Sequence, residues 1–232
     1  MYKNPTYLSK PIWNNAFSYD QRIALWSAGK LSIPSLIQGT VADLWQGSEI
    51  CFEEVVDNKL VSCTGLKNFL QTTFHEVPVY IVDNHNHVLS FRLIQHINSL
   101  TRKPVNLIHV DQHSDIKPNE NIFSEGNIET FVNEKTNVGN FITAATNSWI
   151  IKDIIQVRTD YALKNVQRLT SNVQRFILDL DIDFRQDKEA TEADVKIIRK
   201  LMKQAELVTI ATSPYFIDQA RAITIIQKFL SE

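Results

Sequence analysis

The stretch Val105-Asn106-Leu107-Ile108-His109-Val110-Asp111-Gln112-His113-Ser114-Asp115 decides how this chain is read. Its first half is an apolar run of the kind that forms a buried strand. On an extended backbone, side chains two residues apart share a face. Asp111, His113 and Asp115 therefore present two carboxylates and an imidazole on one side, where the chain leaves the strand. His109 shares that face and is expected to support the cluster or fill the core. A second run, Phe176-Ile177-Leu178-Asp179-Leu180-Asp181-Ile182-Asp183-Phe184, repeats the pattern with three carboxylates. Each motif alone fits a solvated loop or an exposed edge strand. Both together, flanked by Ile, Leu and Phe, imply cations between them, because a buried carboxylate without a positive partner is very costly.

Outward from these runs, strands and helices alternate. Val77–Val82 is a short apolar strand ending at Asp83, and Val88–Leu100 carries Leu89, Leu93, Ile94, Ile97 and Leu100 at helical spacing. A polar loop is expected over Lys117–Asn137, a helix over Asn140–Ile151 and a strand over Ile154–Val157. Thr191 opens a helix with Glu192 and Asp194 in its first turn, Leu207–Ala211 is a strand, and Ser213-Pro214 reads as the cap and first turn of a helix through Leu230. Near-continuous apolar strands alternating with helices predict an α/β fold, a three-layer α/β/α sandwich on a mainly parallel sheet. In such sheets ligands gather at the carboxyl ends of the strands. The acids and histidines fall there.

Residues 1–75 hold Trp13, Trp26 and Trp45 but no cluster of acids and histidines. They include a candidate helix, Tyr19–Ala28, and a candidate hairpin in which Ile50–Val56 and Leu60–Cys63 flank Asp57-Asn58. The whole chain, 1–232, reads as one domain, with residues 1–75 as an N-terminal elaboration packed on a metal-binding core over 76–232.

Its 232 residues, 44% hydrophobic, suffice for one α/β core. A formal charge of −2 gives no general affinity for nucleic acid or an anionic membrane. Cys51 and Cys63 are too few for a disulfide framework or a cysteine-rich zinc site and read as ordinary thiols. No apolar run suggests a signal peptide or a membrane span, so a cytoplasmic protein is expected, with homo-oligomerisation left open.

Carboxylates and imidazoles without thiolates suit manganese or magnesium, with iron, cobalt or catalytic zinc open. The number of carboxylates points to two ions. Here the motifs carry a resemblance. Asp-x-His-x-Asp after one strand and Asp-x-Asp on a later one resemble the arginase and ureohydrolase superfamily, whose distant relatives include the histone deacetylases. Together with Asp83-Asn84-His85 and Val208-Thr209-Ile210-Ala211-Thr212-Ser213-Pro214, they resemble more closely a small arginase-like family that includes the peptide arginases, which convert arginine to ornithine within ribosomal precursor peptides. The resemblance spans roughly residues 77 to 220.

It implies two Mn2+ ions per chain and the following roles. His85 binds the first ion, with His87 as the fallback; Asp111 bridges both; His113 binds the second and Asp115 the first; Asp181 bridges and Asp183 binds the second. Asp111, Asp115 and Asp181 are then nearest the chemistry. Asp179 supports the ligands from behind, or is itself one if the register is shifted by two. Substrate contacts are expected at His87, at Asn140, whose alternative is a helix cap, and at Asp218.

Two departures stand out. Arginases carry a proton-shuttling His after the first motif, whereas no His follows His113. A general acid must then be a carboxylic acid, a water or His85/His87. Arginases also hold the guanidinium with a Glu on the last core strand, where this chain has Ile210-Ala211-Thr212-Ser213-Pro214. Asp218, Asp187 and Glu125 are the candidates for that acceptor, and the sequence does not choose among them. The resemblance implies a hydrolase releasing urea from arginine in a peptide. The alternatives are another metal-dependent C–N hydrolase, such as a deacetylase or amidinohydrolase, and a non-catalytic metal- or peptide-binding relative.

Overall fold

The structure, a computed structural model, describes residues 1–8, 30–99 and 101–231. The expected helix Tyr19–Ala28, with Trp13 and Trp26, lies outside them. Strands β1 (Thr6–Leu8) and β2 (Leu31–Ile33) form a small antiparallel pair. Seven strands make the main sheet, in the order β3 (Leu36–Gln38), β6 (Phe69–Phe74), β7 (Val77–Val82), β11 (Leu207–Ala211), β10 (Phe176–Asp181), β8 (Val105–Val110) and β9 (Ile151–Val157). The five from β7 to β9 run parallel; β6 pairs antiparallel with β7, and β3 parallel with β6. This is the expected α/β fold with a mainly parallel sheet.

Every residue of β10 and β11 is buried, as is the second half of β8. Only strands covered on both faces bury consecutive side chains in this way. The covering helices fall into two sets. Helices α1 (Val88–Asn98), α2 (Ile128–Lys135) and α3 (Phe141–Asn147) pack with one another; so do α4 (Asp160–Leu169), α5 (Glu192–Gln204) and α6 (Gln219–Leu230). Helix α5 begins where Thr191 and Asp194 form a reciprocal capping box. No described helix is long and apolar enough to cross a membrane.

The structure departs from the sequence-based expectations at four places. Residues 1–75 do more than pack on the core, because β3 and β6 extend the main sheet. The polar segment expected as a loop contains α2, whose start is fixed by the Asn127 side chain accepting from Thr130 N. Helix α4 was not anticipated; Thr159 caps it by accepting from Ala162 N. The last helix starts at Gln219 rather than at Pro214, because Asp218 accepts from Arg221 N and so provides the cap.

The hairpin is as expected but longer, β4 (Gln46–Val56) and β5 (Lys59–Leu66). Its turn places Asp57 at φ 50° and Asn58 at φ 60°, the left-handed pair that a two-residue hairpin turn requires. The hairpin leans on the carboxyl end of the sheet. Cys51 and Phe52 cluster with Val138, and the Phe52 ring lies 5.1 Å from that of Tyr215. Both cysteines are free thiols.

Leu178 lies at the middle of β10, fully buried between β8 and β11. Leu178→Ala removes packed methyl groups from the strand that carries Asp179 and Asp181. It is expected to lower stability by about 3 kcal/mol, read as a shifted midpoint at unchanged slope in urea denaturation. A loss under about 1 kcal/mol would show that the core collapses around the gap.

Candidate metal centre

The carboxyl ends of four adjacent strands, β7, β11, β10 and β8, build the site. After β7 the chain enters a 3-10 turn, His85–His87, that turns His85 back over the sheet. After β8 come Asp111, His113 and Asp115; at the end of β10 stand Asp181 and Asp183; after β11 comes Ser213. Asp115 and Ser213 have φ of 53° and 46°. Left-handed backbone is uncommon outside glycine and costs energy, and such strain concentrates at functional sites. Here it accompanies side chains that line one pocket.

Two donor sets result. In the first, His85 Nδ1 lies 3.3 Å from Asp111 Oδ2 and 3.0 Å from both Asp115 Oδ2 and Asp181 Oδ2. In the second, His113 Nδ1 lies 2.8 Å from Asp183 Oδ2 and 3.5 Å from Asp111 Oδ1. Asp111 belongs to both sets, one oxygen to each. The six residues expected as ligands are thus brought together, and all but His113 are buried. His113 is 40% exposed, with its ring 4.5 Å from that of Phe216. Ser213 Oγ donates to Asp181 Oδ2 at 2.6 Å and fixes that carboxylate.

The donor chemistry fits divalent cations. His85 Nδ1, Asp111 Oδ2 and both oxygens of Asp183 are buried without a hydrogen-bond partner. Native proteins rarely leave such atoms unsatisfied unless an ion or another group completes them. Electrostatics agree. Burial alone would depress the His85 imidazole, but Asp179, Asp181, Asp111 and Asp115 hold it well above its ordinary range. Burial, reinforced by Asp181, pushes the Asp183 carboxyl up. Without ions these groups must retain protons; four carboxylates (Asp111, Asp115, Asp181, Asp183) match the charge of two divalent cations.

Asp179 meets the His85 ring from the side opposite Asp111, Asp115 and Asp181. Its Oδ1 pairs with Arg92 Nη2 and accepts from Thr209 Oγ1, and its Oδ2 meets His85 Nε2 at 3.0 Å and His109 Nδ1 at 2.8 Å. Arg92 is fully buried. Its guanidinium and the two imidazoles outweigh burial and hold Asp179 well below the usual carboxylate range. Those four contacts engage both oxygens of Asp179.

Other expected contacts do not join the site. His87 is fully buried, 5.2 Å from the Phe69 ring, with Nδ1 3.1 Å from Tyr2 Oη, and burial pushes it down to about 3. Asn140 accepts from Asn137 N, and its neighbour Gly139 lines the pocket instead. Asp218 caps α6, and Glu125 is exposed away from the pocket. Asp187 lines a separate polar cavity beside Arg158. The pocket beside the donors, of about 160 Å3, is also lined by Val138 and Phe216 and by the exposed Lys117 and Arg158. Arg158 is held by two hydrogen bonds to the Gln112 carbonyl, at 3.0 and 3.1 Å. Sequence reasoning did not find Arg92, Ser213, Lys117, Arg158 or Phe216 as parts of the site. Only Ser213, two residues beyond the last parallel strand, carried a positional signal.

Asp83, which ends β7, is sealed under the hairpin. A Cβ on Gly65 would come within 2.4 Å of Asp83 Oδ2 and 2.8 Å of Cys51 Sγ, so only glycine permits this approach. Burial pushes the Asp83 carboxyl up to about 7 from 3.8. A carboxyl with a raised folded-state pKa favours the fold below its unfolded value, and that advantage is lost as pH rises through the folded one. Asp83→Asn cannot ionise. In metal-free protein its stability gain over the parent is expected to grow between about pH 4 and pH 7 and level off at about 2–4 kcal/mol. Urea denaturation across that range measures it, and a pH-independent difference would refute it.

No family model matches the chain, and no curated protein matches it in sequence. Among solved structures it is similar to arginase from Bacillus cereus, at 11% identity and TM-score 0.43, over 67% of this chain and 71% of that one. Arginase from Bacillus subtilis subsp. subtilis str. 168 is 11% identical at TM-score 0.42, over 68% and 71%. Entamoeba histolytica arginase in complex with L-ornithine is 12% identical at TM-score 0.41, over 66% and 69%. At these values the residues of this chain, not the likeness, carry the functional reading.

Proposed function

We propose that this protein is a dinuclear metal-dependent hydrolase that converts arginine side chains to ornithine with release of urea, acting on arginine within a peptide. The observation that carries the metal centre is the paired donor set sharing Asp111, with its unpartnered buried nitrogen and oxygens. His85, Asp111, Asp115 and Asp181 would hold the first ion, and Asp111, His113, Asp181 and Asp183 the second. Manganese suits this set of oxygens and imidazoles. When bound, such ions polarise the substrate and make water a nucleophile near neutral pH.

The remaining work falls to the chain. The reaction takes up one water at the guanidinium carbon, breaks the bond from that carbon to Nε, and gives urea and a protonated ornithine amine. Ser213 keeps Asp181 oriented while the substrate sits above it. Asp115 and Asp181 are the carboxylates that face the pocket among the described residues, so they are the acceptors available to a guanidinium. Phe216 and Val138 give the aliphatic part of an arginine side chain an apolar wall. The exposed Lys117 and Arg158 offer donors to main-chain carbonyls. That arrangement supports a peptide substrate, which the family resemblance also suggests. One observation favours the second reading, a deacetylase or other amidinohydrolase: no carboxylate outside the two donor sets lines the pocket among the described residues.

Urea release with manganese, compared between free arginine and arginine-containing peptides, tests the reading, with high-resolution mass spectrometry to tell arginine-to-ornithine conversion from loss of an acetyl group. Peptide-dependent urea is expected, abolished by Asp111→Ala or Asp183→Ala. Deacetylation without urea would replace this function by the second, and full activity in either variant would remove the metal centre from the chemistry.

A further inference from the structure

Two imidazoles, rather than one, stand over the first donor set. Strand register places His109, Asp179 and Thr209 side by side on β8, β10 and β11. All three are fully buried. Asp179, paired with Arg92, is ionised and can only accept hydrogen bonds. The ring nitrogens that face it, His85 Nε2 at 3.0 Å and His109 Nδ1 at 2.8 Å, must then carry their hydrogens. In the neutral rings the opposite nitrogens are lone pairs. These are His85 Nδ1 and His109 Nε2, and neither has a hydrogen-bond partner. His109 Nε2 lies 3.2 Å from Asp111 Oδ2, which is also unpartnered. Two lone pairs facing each other at that distance in a dry interior repel, so a cation or a proton must lie between them.

We propose that His109 Nε2 is a ligand of the first ion, alongside His85 Nδ1, Asp111, Asp115 and Asp181. The inference rests on the dinuclear centre described above and extends it. Ligand atoms of His109, Asp111 and Asp115 lie within 4.8 Å of one another, close enough for one ion to reach all three. Asp179 is then a positioning residue for both rings. Its Oδ2 fixes the two tautomers at once, and Arg92 and Thr209 hold it in place. The two sites become unequal. The first has two imidazoles and the second has His113, so the first is the better match for ions that favour nitrogen, such as cobalt, iron or zinc.

The test needs no substitution at its core. Protein labelled with 15N-histidine is loaded with 113Cd2+, and one-bond cadmium–nitrogen couplings are read by NMR. Couplings are expected at His85 Nδ1, His109 Nε2 and His113 Nδ1. A hydrogen on His109 Nε2, with cadmium couplings at His85 and His113, overturns this inference and leaves the dinuclear centre standing. Absence of any coupling overturns both. A folded His109→Gln variant, which serves to assign the His109 signals, is expected to weaken the first Mn2+ by roughly tenfold or more in calorimetry while sparing the second. Two ions bound at the parent affinity would also overturn the inference.

Discussion

Asp111, Asp115, Asp181 and Asp183 are buried together at the end of the sheet, within reach of the same two imidazoles. Much of the surrounding architecture follows from this concentration of acid. Like charges at such separations in a medium of low dielectric cannot all ionise unaided. Protons on the histidines and on some of the acids meet part of the need, as the upward displacement of His85 and Asp183 shows. Two divalent cations would meet all of it, and would also complete the buried atoms that lack partners. A site of this kind costs folding stability when empty and returns it when loaded.

The protein isolates this charge from the adjacent buried acid Asp179. Asp179 lies two residues from Asp181 on the same strand and the same face, yet its oxygens are fully engaged by Arg92, Thr209, His85 and His109. A buried ion pair is seldom a net source of stability against an apolar replacement. The Arg92–Asp179 pair is better understood as a device for orientation, because it fixes which nitrogen of each imidazole faces the donor set. Helix α1 brings Arg92 from outside the sheet, and the parallel register brings the other partners from β8 and β11. Secondary structure and site chemistry are here the same set of contacts.

This explains what could be read from the chain alone. The period of two on β8 and β10 made the acid stripes, the parallel sheet and the ends of its strands legible, because those depend on local alternation. The different surroundings of Asp179 and Asp181 were not legible from that alternation. Both point the same way, and what separates them is a guanidinium from a helix more than eighty positions away in the chain. His87 shows the opposite failure. Two residues from His85, it would share that residue's face on an extended chain, but the backbone turns into a 3-10 helix and sends it to Tyr2 and Phe69. The pocket residues Lys117 and Arg158 sit on loops, where no periodicity exists to read.

Ser213 shows where local preference and site geometry conflict. A Ser before a Pro after a strand is a sound signal for a helix start, and the helix nonetheless begins at Gln219. Ser213 is instead left-handed, and its hydroxyl donates to Asp181. The strain is tolerated because neighbours fix the residue from several sides: Ser213 N donates to the Asp83 carbonyl and its carbonyl accepts from Phe216 N, which carries the ring beside His113. Releasing Ser213 into a helical cap would free Asp181, shift Phe216 and open the pocket wall together. A residue bound to the Asp181 carboxylate, to the end of the strand that precedes His85 and to the turn that lines the pocket cannot follow its local propensity without disturbing all three. Its departure from propensity is therefore itself a mark of function.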